Sequence, residues 1–153
     1  LPVYRREFPD FGPGELAVAY ATDRIFRIPA IRLAEARAKH GAQTWMYLFD
    51  WKSQAFDGRL GATHPLDLGF TFANLDAPGF DLFAGVEDLP DGLSDLMHRA
   101  WIAFVRDRSP VHSGLDAWPG YSGSERAVYE FSLTPRLLSD PHAATREAWA
   151  GVR

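Results

Sequence analysis

The eight residues from Thr44 to Trp51, TWMYLFDW, limit the possible fold more than any other stretch of the chain. The run is strand-length, and apolar or aromatic side chains fall on both of its faces, with no polar alternation. A strand of this kind needs cover on each side, as in a parallel sheet layered by helices. A helical pattern, a short connection and then such a strand is the rhythm of an α/β fold. The chain can supply the core this requires. It has 153 residues, 46% of them hydrophobic and 14% aromatic, which fits one packed globular domain better than a disordered segment.

The flanking sequence extends the pattern. Residues 1–21 are rich in Pro and Gly and read as an irregular lead-in, with helical composition over Glu15–Ala21. The segment TDRIFRIPAIRLAEARAKHG predicts a helix capped at Thr22 or Asp23, basic near its end and stopped by Gly41. Pro29 lies inside it, so the regular helix starts there, after a turn or kink. Leu93, Leu96, Met97, Ala100, Trp101, Phe104 and Val105 follow helical spacing and predict one apolar stripe ending before Pro110. In AVYEFSL, Tyr129, Phe131 and Leu133 alternate with Glu130 and Ser132, the pattern of a half-exposed strand. Asp140 and Pro141 suit the N-cap and first residue of a last helix running to Trp149. The chain carries no internal repeat and no low-complexity tract.

Charge and composition exclude several classes of function. The net charge is −4 with both signs interspersed and no basic stripe, which argues against nucleic-acid partners and an anionic membrane surface. No apolar run approaches the roughly 20 residues that span a bilayer. The absence of cysteine removes both a disulfide framework and a thiolate metal site. The five histidines, at 40, 64, 98, 112 and 142, show no metal-ligand spacing, and neither a metal nor a cofactor is implied. His40, His98, His112 and His142 read as surface residues. His64, in GATHPLDLGF, differs because it follows a long loop after the apolar strand, where α/β enzymes place reactive groups. From the residues alone that position fits an inert loop histidine as well as a base.

A histidine base needs a nucleophile and a carboxylate to orient it. The stretch GYSGS at 120–124 fails the G-x-S-x-G elbow because Ser124 replaces the last glycine. Its serine also follows His64, whereas the hydrolase order is serine, acid, histidine. The DFG triplet at 10–12 lacks every other kinase signature and is a chance match. The first residue is Leu1, and the expectation is a chain cut from a longer polypeptide.

From Thr22 to Trp149 the chain resembles the C-terminal part of type-B carboxylesterases, a group that includes bacterial para-nitrobenzyl esterases and the cholinesterases. The stretches that carry the resemblance are TDRIFRIP, RLGATHPLDLGFTFANL, DLMHRAWIAFVR, HSGLDAWPGY and SDPHAATREAW, in that order. The resemblance implies the C-terminal part of one α/β-hydrolase domain over 1–153, incomplete on its own. It also implies that His64 is the catalytic base of the family's G-A-x-H-x-x-E-L-x-F stretch. The serine, the acid and the oxyanion donors then lie toward the N-terminus, so the partners expected are that N-terminal remainder and a small-molecule ester. Asp67 stands where the family has glutamate, and Gly69 where proline is common. Leu66, Leu68, Phe70 and Phe72 alternate like a strand, but the resemblance predicts loop and short helical turns there. Phe70 and Phe72 are candidates for lining the acyl or alcohol pocket, with core burial as the competing role. The function expected is the histidine-bearing segment of a serine carboxylesterase, inactive in isolation. The alternative is a non-catalytic, esterase-like binding or interaction domain.

Overall fold

A computed structural model describes residues 2–86, 89–115 and 117–152. In chain order the elements are α1 (Pro2–Glu7), α2 (Pro13–Thr22), a π-helical turn (Asp23–Arg27), α3 (Ile28–Lys39), β1 (Met46–Phe49), α4 (Asp67–Thr71), α5 (Phe80–Ala84), α6 (Asp91–Asp107), β2 (Ala127–Phe131), β3 (Arg136–Ser139) and α7 (Ala143–Ala148). They fall into two compact units. One comprises residues 2–44, 120–126 and 139–152, the other residues 45–119 and 127–138.

The second unit holds the sheet, in the order β1-β2-β3. β1 and β2 run parallel, with Met46 opposite Val128 and Phe49 opposite Phe131. The parallel pair agrees with the expectation from TWMYLFDW, but the distribution of burial reverses it. β1 is half-buried at all four positions, whereas β2, expected to be half-exposed, is buried at all five. Position in the sheet explains this. β2 is the central strand, with a neighbour on each edge where β1 has only one, and Glu130 is only 7% exposed. Its carboxylate accepts a hydrogen bond from Arg136 Nε at 2.8 Å, which compensates a charge that burial alone would disfavour.

Leu66, Phe70, Met97, Trp118, Tyr129 and Phe131 lie at the centre of this unit's core. α6 buries Leu93, Met97, Ala100 and Ala103. The predicted apolar stripe is wider than this buried face, and Trp101, Phe104 and Val105 remain exposed. α6 ends at Arg108, which adopts a left-handed conformation two residues before Pro110.

The first unit corrects the expected irregular lead-in. The prolines and glycines of residues 1–21 start helices here rather than break them. Pro2 opens α1, and Pro13 follows Gly12 at the start of α2, where a missing N–H costs nothing. The Glu15 carboxylate accepts the Gly12 N–H at 2.7 Å. Tyr4 anchors α1, with its ring edge-on to Tyr20 and only 3% exposed.

Neither Thr22 nor Asp23 caps a helix. Thr22 has helical angles (φ −58°, ψ −47°), and α2 passes directly into the π turn, where the Ile28 N–H bonds the Asp23 carbonyl. Pro29 offers no N–H to the carbonyl four residues back, so the α register is already interrupted at this point. The Asp23 carboxylate turns inward and accepts hydrogen bonds from Tyr4 Oη (2.8 Å) and from Arg27 Nε and Nη2 (2.5 and 3.0 Å).

α3 stops at Gly41 as expected. With φ at +70° there, the Ala42 N–H bonds the Arg37 carbonyl and the Gly41 N–H bonds the Ala38 carbonyl, the paired bonds of a Schellman end. Asp140, expected as an N-cap, instead receives both Nε and Nη2 of Arg146 at 2.8 Å. A bidentate guanidinium is a stronger partner for a carboxylate than a helix N–H, and α7 begins only at Ala143, after His142.

Candidate functional site

β1 delivers the chain to the carboxyl end of the parallel pair, and the loop to His64 leaves from there. Asp50 extends the pairing, its N–H on the Phe131 carbonyl at 2.8 Å. Beyond the buried Trp51, Ser53 forms an antiparallel bridge with Gly61, so residues 54–60 close as a compact excursion. Ser53 is fully buried. Its hydroxyl donates to the Phe83 carbonyl at 2.8 Å and accepts the Ala55 N–H at 3.0 Å. The Gln54 N–H bonds the Ala84 carbonyl at 2.7 Å. Gly85 has φ +78°, and a β-carbon there would lie 1.9 Å from the Ala55 nitrogen. Only glycine permits this approach.

The loop therefore re-emerges at Gly61 from a fixed base, and His64 follows three residues later. His64 is exposed and precedes a cis peptide to Pro65. The Leu66 N–H bonds the Thr63 carbonyl at 2.9 Å and the Leu68 N–H bonds that of Pro65 at 3.0 Å. The turn then enters α4, which places Leu66 and Phe70 in the core with no exposure, while Leu68 and Phe72 point outward. The i, i+4 burial is helical, so the apparent strand alternation is resolved as the resemblance implied. Of the two aromatics considered for a pocket, Phe70 is a core residue, its ring 5.1 Å from both Phe49 and Trp51. Phe72 is 64% exposed.

Both departures from the family stretch have structural counterparts. Asp67, the first residue of α4, receives a hydrogen bond from the Tyr47 hydroxyl of β1 at 3.4 Å. Burial, reinforced by the Asp67 charge, pushes the Tyr47 phenol up to about 12. At Gly69 a β-carbon would meet the Phe80 ring at 2.4 Å, so the missing side chain admits that ring. The C-terminal carbonyls of α4 are held from α6. Ser94 Oγ donates to the Phe70 carbonyl at 3.2 Å, and His98 Nδ1 donates to that of Thr71 at 2.8 Å.

His98 is thus not a free surface residue, and two other histidines also carry tertiary contacts. His112 Nε2 lies 3.2 Å from the Leu96 carbonyl. His142 Nδ1 lies 3.0 Å from Glu7 Oε1, with its ring against Phe8. Residue spacing could not reveal these roles because the partners come from other elements. His40 remains exposed at the end of α3. Ser122 pairs with Ser124 Oγ and the Glu125 N–H in a local turn, with no strand-to-helix elbow around it. Among the described residues no group of three or more His, Asp or Glu side chains could hold a metal ion, and no helix is long and apolar enough to cross a membrane.

A cleft of about 450 Å³ also opens at the carboxyl ends of β1 and β2, lined by Asp50, Lys52, Glu130, Ser132 and Arg136 among others. His64 does not line it. Sequence reasoning missed the cleft because Glu130 and Ser132 read as an ordinary solvent face.

A parallel pair with a histidine loop at its carboxyl end is the arrangement of the α/β-hydrolase carboxylesterases, and comparison with known proteins gives the same class. A family model described as the carboxylesterase family matches residues 14–149, a span that includes His64 and Asp67. The chain belongs to the carboxylesterase family. It is 38% identical over 108 residues to the phenmedipham hydrolase of Pseudarthrobacter oxydans, covering 69% of this chain and 22% of that protein. Against the para-nitrobenzyl esterase of Bacillus subtilis (strain 168) the identity is 31% over 135 residues, covering 87% and 27%. A crystal structure of a Geobacillus stearothermophilus carboxylesterase superposes with a TM-score of 0.79 at 31% identity, covering 96% of this chain and 31% of that one. The chain spans about a quarter of the length of these curated relatives.

Proposed function

We propose that this chain is the C-terminal portion of a single α/β-hydrolase domain in a serine carboxylesterase, and that His64 is its catalytic base. The observation that carries the reading is the placement of His64. It is an exposed imidazole on a turn held between the Ser53–Gly61 bridge and the buried Leu66, at the carboxyl end of a parallel strand. Ligands of open α/β sheets bind outside the carboxyl ends of the strands, and a base must be rigidly placed to act.

The chemistry is acyl transfer from a carboxylic ester in two steps. His64 removes the proton of a serine hydroxyl as it attacks the ester carbonyl, then protonates the departing alcohol. It next activates water, which releases the acid from the acyl-enzyme. The serine, the acid that orients His64 and the backbone donors for the oxyanion come from the remainder of the polypeptide, since in this fold they precede the histidine. The 153 residues alone are accordingly inactive. The names of two relatives, a phenmedipham hydrolase and a para-nitrobenzyl esterase, support a small ester as the substrate class.

The test is His64→Ala in the complete polypeptide, assayed with a nitrophenyl ester. The expected loss in kcat is about 10⁴- to 10⁶-fold with little change in KM. A loss below about tenfold, roughly 1.4 kcal/mol, removes His64 from the reaction, whereas a complete polypeptide with no activity on the ester supports the non-catalytic reading.

A further inference from the structure

Resting on that reading of His64, we infer that Tyr47 and Asp67 form a positioning pair that holds the His64 turn against β1. Neither is a catalytic residue, since both act on the turn. The Tyr47 ring is locked by edge-on contacts with Phe131 (5.7 Å) and Trp101 (6.2 Å), and its main chain is paired opposite Tyr129 on β2. Its hydroxyl therefore has a fixed origin in the sheet, and its acceptor is Oδ2 of Asp67 at 3.4 Å. Asp67 lies three residues beyond His64, where the turn becomes α4.

The Ser53–Gly61 bridge and the buried Leu66 hold the turn on either side of His64, and the Tyr47–Asp67 hydrogen bond ties its junction with α4 to a rigid ring of the sheet. With its phenol at about 12, Tyr47 remains a donor at any pH at which an imidazole base operates.

The experiment is a double-mutant cycle in the complete polypeptide, with Tyr47→Phe, Asp67→Asn, the double variant and His64→Ala assayed on a nitrophenyl ester beside thermal melts. Misplacement of a base costs turnover rather than substrate binding. Each single variant is expected to lose about ten- to a hundredfold in kcat with KM within about twofold. The double variant should lose no more than the worse single, because partners in one interaction are non-additive. Wild-type kcat in Tyr47→Phe overturns the inference, as does a double variant whose loss is the product of the two singles. A lowered melting temperature with unchanged kcat also overturns it, because that marks a purely structural bond. If Tyr47→Phe does not fold, Asp67→Asn decides by the same split between kcat and KM. Failure of the underlying reading is separately visible, since His64→Ala then retains activity.

Discussion

Two residues of the second unit show how much of the His64 loop depends on single atoms. Gly85 accepts the Ala55 backbone at a distance no side chain tolerates, with φ +78°. Gly85→Ala is expected to cost about 3 kcal/mol or more, combining steric overlap with left-handed strain, and a urea-unfolding midpoint measures the loss. Tyr47 makes a prediction about alkaline pH. Its pKa is raised from 10.0 to about 12 in the folded state, chiefly by burial, so the folded state favours the protonated phenol. That contribution is complete below pH ~10 and is lost as pH rises toward ~12, amounting to at most about 2–3 kcal/mol. The expected result is a stability curve that falls over this window and is flatter in Tyr47→Phe, followed by denaturant unfolding at stepped pH.

Between elements, buried ion pairs do the joining where sequence patterns suggest caps. Asp23 is 5% exposed and is held by Tyr4 and Arg27. Arg27 also reaches the Pro141 carbonyl at 3.1 Å and Thr145 Oγ1 at 2.6 Å. One aspartate thus organises contacts among α1, the π turn and α7. Asp23→Ala leaves the Arg27 charge without its partner and is expected to destabilise by about 3–5 kcal/mol. A simple lost cap would cost about 1 kcal/mol, so equilibrium unfolding separates the two. Arg136, with a side chain 63% exposed, contrasts with Glu130 at 10%. Water can solvate the arginine but not the carboxylate, so Arg136→Ala should destabilise more than Glu130→Gln.

For the whole molecule, the sheet order and the exposed apolar residues bear on association. β1 is an outer strand of the sheet, half-buried along its length. On α6, Trp101, Ile102, Phe104 and Val105 are exposed at 38%, 47%, 41% and 77%. An apolar strand edge is a template for pairing, and a contiguous apolar surface adds a drive to associate. The 153 residues expressed alone are expected to form oligomers or aggregates. Light scattering checks this, and a monomer with cooperative unfolding would show that these residues close their own core.

The sequence alone determined features whose cause is local. The apolar octet forms a strand of a parallel pair, as its pattern predicts, although that strand is only half-buried. Gly41 ends α3 because only the backbone freedom of that residue is at issue, and His64 falls on a loop because glycine and small residues precede it. Tertiary structure decided what depends on distant partners. It made β2 rather than β1 the central strand, and thereby turned Glu130 from a solvent residue into a buried one. It directed Asp23 to Tyr4, nineteen positions away, and His98 to a carbonyl of α4. Residues 66–72 stand between these cases. Their alternation suits a strand, yet burial of Leu66 and Phe70 beside Met97 and Trp51 selects the helix. Local propensity leaves such a short apolar run undecided, and the free energy of filling one core site resolves it.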